Sequence, residues 1–168
     1  MDQIVRLAGA EKVPPCTVVI FGASGDLAMR KLIPALYSLD ACGERMLADE
    51  TMILGCARRP MPVEQFRQHA RDAVGRFSNA AIQEPCWERF AARLDYLSGI
   101  EDLQSFARLK IRLEQIESAG ALPPNRIFYL AIPPDAILDW VQRLHDAGLI
   151  APPQAHGFSR VVVEKPIG

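Results

Sequence analysis

The constraint that narrows the fold most is an alternation along the chain. Short apolar runs recur at 16–22 (CTVVIFG), 51–57 (TMILGCA), 94–98 (LDYLS), 126–132 (RIFYLAI) and 160–164 (RVVVE). The first is continuously apolar and ends in glycine, the pattern of a strand buried on both faces, as in a parallel sheet. Between these runs the apolar spacing becomes helical, over 26–39, 63–77, 84–92, 103–118 and 135–147. Leu27, Leu32, Leu36 and Leu39 offer a stripe on the first helix, and Pro34 within it is expected to end a turn or kink it. Phe66, Ala70 and Val74 mark the second helix; Leu103, Phe106, Leu109, Leu113 and Ile116 mark the fourth. Gly148 suits a helix C-terminus. Tyr37, Trp87 and Trp140 read as packing residues.

Strands alternating with helices imply parallel pairing through right-handed crossovers, with helices on both faces of the sheet. The expected architecture is a doubly wound, mostly parallel α/β sheet of the Rossmann-like, NAD(P)-binding kind. At 168 residues the chain suits one domain. Residues 1–14 are expected to form a flexible leader and 15–168 the domain. Lys and Arg number 19 against 20 Asp and Glu, so charge gives no reason to expect nucleic acid or an acidic membrane as partner. No apolar stretch reaches the roughly 20 residues of a membrane span. Arg6, Glu11 and Lys12 interrupt any signal core. Cys16, Cys42, Cys56 and Cys86 lie far apart without a C-x-x-C pair, which reads as four reduced thiols in a cytoplasmic protein and no metal site.

In this architecture ligands bind beyond the carboxyl ends of the strands. The motifs gather there. After the first strand comes Gly22-Ala23-Ser24-Gly25-Asp26-Leu27-Ala28. Gly22 permits a tight exit from the strand, Gly25 a close approach of backbone to a pyrophosphate, and Ala28 close helix–strand packing. Free N–H groups and the dipole at the helix start favour an anion. The second strand ends in Gly55-Cys56-Ala57-Arg58-Arg59, with no acid to hold an NAD ribose. Two guanidiniums there suit the 2′-phosphate of NADP. Lys31, beside Arg30, lies one to two turns into the first helix. Lys165 follows Val161-Val162-Val163-Glu164 and precedes Pro166, so it leaves the sheet where an ammonium can meet a cofactor or substrate oxyanion. Pro166 restricts the direction in which it points. His69, His145 and His156 are far from strand carboxyl ends and read as surface or structural residues.

These residues resemble the N-terminal signature of the glucose-6-phosphate dehydrogenase family. The resemblance rests on Val19 through Ala28, then Lys31 and Pro34. It continues through Gly55-Cys56-Ala57-Arg58, Arg126 through Ala131 with Pro133, and Glu164-Lys165-Pro166. It implies oxidation of D-glucose 6-phosphate to 6-phospho-D-glucono-1,5-lactone, with NADP accepting a hydride from C1 at the entrance of the pentose phosphate pathway. It implies a dinucleotide turn formed by Gly22, Ser24, Gly25, Asp26 and Leu27 with Ala23 between them. It also implies that Arg58 meets the 2′-phosphate, that Lys31 and Lys165 approach cofactor and sugar phosphate, and that Pro166 sets their geometry. Ile167 stands where the family usually has Phe, and Met29 where a basic residue is common.

The family also carries a larger second domain with the histidine general base, its aspartate partner and the interface of a homodimer or homotetramer. No catalytic histidine is in place within these residues, so the chain alone is expected to be inactive. Two alternatives stand beside this reading. One is a stand-alone NADP-binding module without catalysis. The other is a glucose–fructose oxidoreductase-like protein, which also places Glu-Lys-Pro after a strand but normally has G-x-G-x-x-G at the first turn.

Overall fold

The computed structural model describes residues 13–41, 46–78, 81–152 and 155–164. Five strands form one parallel sheet: β1 (Thr17–Phe21), β2 (Met52–Ala57), β3 (Leu94–Ser98), β4 (Arg126–Leu130) and β5 (Ser159–Val163). Their spatial order is β3-β2-β1-β4-β5. The chain builds outward from β1 to β3, then returns to the other side of β1. This confirms the doubly wound α/β class and puts the switch point between β1 and β4. The expected leader lies almost wholly outside the described residues.

The helices are α1 (Ile33–Ala41), α2 (Val63–Phe77), α3 (Glu84–Ala92), α4 (Leu103–Gly120) and α5 (Ile137–Asp146). Side chains of β1 alternate between two cores. Val18 and Ile20 join Ile33, Tyr37, Phe66, Val74, Trp87 and Phe90 of α1 to α3. Val19 and Phe21 join Phe106, Leu109 and Leu113 of α4 and Leu144 of α5. The period of two along a strand thus serves both faces at once, which is why the run 16–22 has no polar face to show. The reversal of direction at β4 moves the crossover helices to the other face, as right-handed connections require.

Two expectations need correction. The first helix is not uniformly α-helical: Ala28–Leu32 is π-helical, with the Ile33 N–H bonded to the Ala28 carbonyl. Pro34 has no N–H with which to continue an α-helical ladder, and the wider turn absorbs the break. The fully buried positions are therefore Ala28, Ile33 and Tyr37, a step of five then four; Leu32 and Leu36 are partly buried against the same core as expected, while Leu39 is exposed. The next position on that face is Asp40, buried and ion-paired with Arg93. The expectation of four reduced thiols fails at Cys86, which is disulfide-bonded. Cys16 and Cys56 are buried free thiols. Burial pushes the Cys56 thiol far up, with the Asp95 charge adding to it, so its thiolate is suppressed.

Smaller differences lie at element ends. β4 stops at Leu130 rather than 132, because Pro133 follows and lacks a ladder donor. The expected helix 135–147 begins as a 3-10 turn, Pro134–Ala136, before α5. At α4 Asp102 is the N-cap: its carboxylate accepts from the Ser105 N–H at 2.8 Å, and Ser105 Oγ accepts from the Asp102 N–H at 3.0 Å.

Candidate dinucleotide site

A cleft of about 860 Å³ opens at the carboxyl ends of β1, β2 and β4. Its floor is the turn after β1. Gly22 takes φ +79°, open to glycine at little cost. Its N–H and that of Ala23 both donate to the Cys56 carbonyl, at 2.9 and 3.1 Å, which ties the turn to the end of β2. On the other side the Ala131 N–H donates to the Phe21 carbonyl at 3.0 Å. A Cβ on Gly22 would lie 2.3 Å from the Ala131 carbonyl oxygen. The Gly25 N–H turns back to the Gly22 carbonyl at 2.8 Å, and a Cβ on Gly25 would approach that same oxygen to 3.0 Å. The two glycines thus let the turn close tightly on itself and against the end of β4, where a Cβ would meet backbone.

The structure brings some expected site residues together and leaves others aside. Gly22, Ser24, Gly25 and Arg58 line the cleft, and Arg59 lines it with them. Ala23 is fully buried, with its N–H already used, so it supports the turn from beneath. Asp26 is exposed and pairs with Arg30 at 3.4 Å. Leu27 is half-buried just before the π turn. Lys31 is exposed and does not line the cleft. It sits within the π turn, where the azimuth given by α-helical spacing no longer holds. Lys165 and Pro166 lie outside the described residues.

Other lining residues were not expected. Ile100 and Glu101 come from the connection between β3 and α4, and Ala136 from the 3-10 turn. Trp140 lines the cleft while packing edge-on against Phe21, with ring centroids 4.8 Å apart. It is both a packing and a site residue.

Two tyrosines brace the rim. Tyr96 of β3 donates to the Arg59 carbonyl at 2.7 Å. Burial pushes its phenol up, while a hydrogen bond with the Ser24 hydroxyl pulls the other way. Tyr129 of β4 donates to the Glu164 carboxylate, just past the end of β5. Burial raises Tyr129 to about 12, and the bond and charge of Glu164 act in the same direction. No sequence motif announced either contact. A tyrosine near the carboxyl end of a parallel strand, beside the motifs that gather there, is the signal that could have found them.

A doubly wound sheet with a glycine cradle and cations beyond its strand ends is a dinucleotide-binding domain. The comparisons agree. The family described as "Glucose-6-phosphate dehydrogenase, NAD binding domain" matches residues 19–168. The chain belongs to this family, and its region corresponds to the nicotinamide dinucleotide-binding domain. It is 40% identical to the glucose-6-phosphate 1-dehydrogenase of Chlamydia pneumoniae, over 99% of this chain and 33% of that protein. It is also 40% identical to that of Gluconobacter oxydans, over 94% of this chain and 31% of that protein. Among solved structures, a glucose-6-phosphate dehydrogenase in complex with its substrate glucose-6-phosphate superposes with a TM-score of 0.79 at 30% identity. That match covers 95% of this chain and 32% of the other. The Mycobacterium avium glucose-6-phosphate 1-dehydrogenase gives a TM-score of 0.74 over 92% of this chain and 31% of that one. The chain thus spans about a third of the length of these relatives.

Among the described residues no helix is long and apolar enough to cross a membrane. No group of three or more His, Cys, Asp or Glu side chains among them could hold a metal ion.

Proposed function

We propose that the cleft binds NADP, and that the chain is the coenzyme-binding part of a cytoplasmic glucose-6-phosphate dehydrogenase oxidising D-glucose 6-phosphate to 6-phospho-D-glucono-1,5-lactone. The observation that carries the choice of NADP is the end of β2. Arg58 and Arg59 line the cleft there, with no acid on that strand end to hold a ribose hydroxyl pair. The turn fits a dinucleotide because Gly22, Ser24 and Gly25 line the cleft at the start of a helix, where backbone N–H groups and the dipole favour a pyrophosphate. The N–H groups of Gly22, Ala23 and Gly25 already bond within the fold, which leaves those of Ser24, Asp26 and Leu27 to serve an anion in this reading. When bound, the nicotinamide accepts a hydride from the sugar C1.

The chain's own residues then bind and orient. Arg58 holds the 2′-phosphate, with Arg59 beside it. Tyr129 restrains Glu164, just past the end of β5. Lys165 and Pro166, which follow it in sequence, serve the sugar phosphate in this reading. Lys31, exposed at the helix start, serves at longer range as a cation near the same phosphates. Loss of the C1 hydroxyl proton needs a base, and none of His69, His145 or His156 lines the cleft. This chain alone is accordingly a binding domain. With glucose 6-phosphate and NADP+ it gives no measurable absorbance of reduced cofactor; turnover at the rate of an ordinary dehydrogenase would overturn that assignment.

Calorimetric titration tests the cofactor. The wild-type chain binds NADP+ more tightly than NAD+. Arg58→Ala weakens NADP+ about 10- to 100-fold, the worth of one charge-assisted contact, and leaves NAD+ unchanged. Equal affinity for both cofactors in the wild type would sink the reading.

A further inference from the structure

The Tyr96 phenol stands where two parts of the cleft meet. Register places Tyr96 of β3 opposite Gly55 of β2, which in turn lies opposite Ile20 of β1. Gly55 offers no side chain, and the Phe66 ring of α2 occupies the room: a Cβ there would lie 2.6 Å from Phe66 Cζ. Phe66 is fully buried, so it forms a fixed wall. Tyr96 packs on that wall with ring centroids 4.9 Å apart.

From this platform the hydroxyl reaches both turns of the site. Its proton goes to the Arg59 carbonyl at 2.7 Å, and the Ser24 hydroxyl of the other turn is close enough to pull the phenol's pKa down. A phenol can donate once and accept; the donor capacity is spent on Arg59, which leaves the lone pairs for the Ser24 side. The contact to Ser24 belongs to the turn after β1, and the contact to Arg59 to the bend after β2. The bend, residues 58–60, belongs to no helix or strand and is exposed. It has few means of its own to hold the two guanidiniums over the cleft.

We infer that Tyr96 is a positioning residue for phosphate discrimination: it ties the arginine-bearing bend after β2 to the glycine turn after β1. The inference rests on the reading of the cleft as an NADP site. Long arginine side chains lose rotamer freedom when they close on an anion, and a bend that also wanders adds to that loss. Anchoring the bend carbonyl removes the second part. NAD carries no 2′-phosphate and draws nothing from the guanidiniums, so the anchor acts on the difference between the two cofactors rather than on dinucleotide binding as such.

Tyr96→Phe keeps the ring on Phe66 and removes only the hydroxyl. Calorimetry with NADP+ and NAD+, repeated with 2′-phospho-AMP and AMP, reads the effect. The variant loses about fivefold in affinity for each 2′-phosphorylated ligand, the worth of one hydrogen bond, and stays within about twofold of wild type for NAD+ and AMP. In an Arg58→Ala background Tyr96→Phe has no further effect, because the two act on one interaction. Equal weakening of both ligand classes would show a general structural role and overturn the inference. So would a wild-type preference that survives Tyr96→Phe intact, which would leave the NADP reading standing. A wild-type chain with no preference at all would overturn both.

Discussion

Gly22→Ala is expected to cost about 3–5 kcal/mol of stability and to remove measurable dinucleotide binding. Two effects add. The residue sits at φ +79°, where a side chain is strained whatever the space. The new Cβ would also stand 2.3 Å from the Ala131 carbonyl oxygen, which is backbone and cannot swing aside as a flexible side chain would. Relief requires the turn after β1 to part from the end of β4 by roughly 1 Å, the gap to ordinary carbon–oxygen contact. That movement strains the Ala131 N–H bond to Phe21 and the two bonds from Gly22 and Ala23 to Cys56. It also displaces Ser24 and Gly25 from the cleft floor. A urea midpoint well below wild type, with no heat on NADP+ titration of the variant under folding conditions, is the expected result. An alanine variant with wild-type midpoint and wild-type affinity would refute the account of the cradle.

That turn was legible in the sequence because every property it needs is local. A buried strand, a glycine, two spacer residues and a second glycine lie within ten positions, and their roles depend on backbone alone. Arg58 was legible for a related reason. The end of β2 has a fixed place in a doubly wound sheet, so a residue there is expected at the cleft, and Arg58 lines it.

What escaped the sequence depends on residues far apart or on phase. The wide turn at Ala28–Leu32 shifts the helix by one residue, so Ala28, Ile33 and Tyr37 are the fully buried positions, Leu32 and Leu36 are only partly buried, and Lys31 does not line the cleft. Pro34 announced a break but not its form. The reach of Tyr96 to Arg59 needs Gly55 to be empty and Phe66 to fill the void, a coincidence of three elements that no spacing reveals. Trp140 was read as core because it is core; only the end of α5 beside β1 shows that the same ring also meets the cleft.

Arg126 illustrates the same limit with a large energy attached. In the sequence it only opens the strand run R-I-F-Y-L. In the fold it is buried, and its guanidinium meets Glu117 of α4 through two parallel bonds, Nε to Oε1 at 2.7 Å and a terminal nitrogen to Oε2 at 2.8 Å. Both side chains are 11% exposed, so neither charge can recover water if its partner is removed. Arg126→Ala is expected to destabilise the chain by about 3–5 kcal/mol, chiefly by leaving the Glu117 carboxylate buried and unpaired. Glu117→Leu alone strands the guanidinium in the same way. The double variant Arg126→Met/Glu117→Leu recovers most of the loss, because two apolar side chains of similar volume carry no desolvation penalty. The pair lies at the amino end of β4, across the sheet from the cleft, so NADP+ affinity of the folded double variant stays at the wild-type value. Urea midpoints of the four chains give the coupling energy. If the double variant were as unstable as the sum of the two singles, the loss would come from packing rather than from a stranded charge, and the account of this pair would fail.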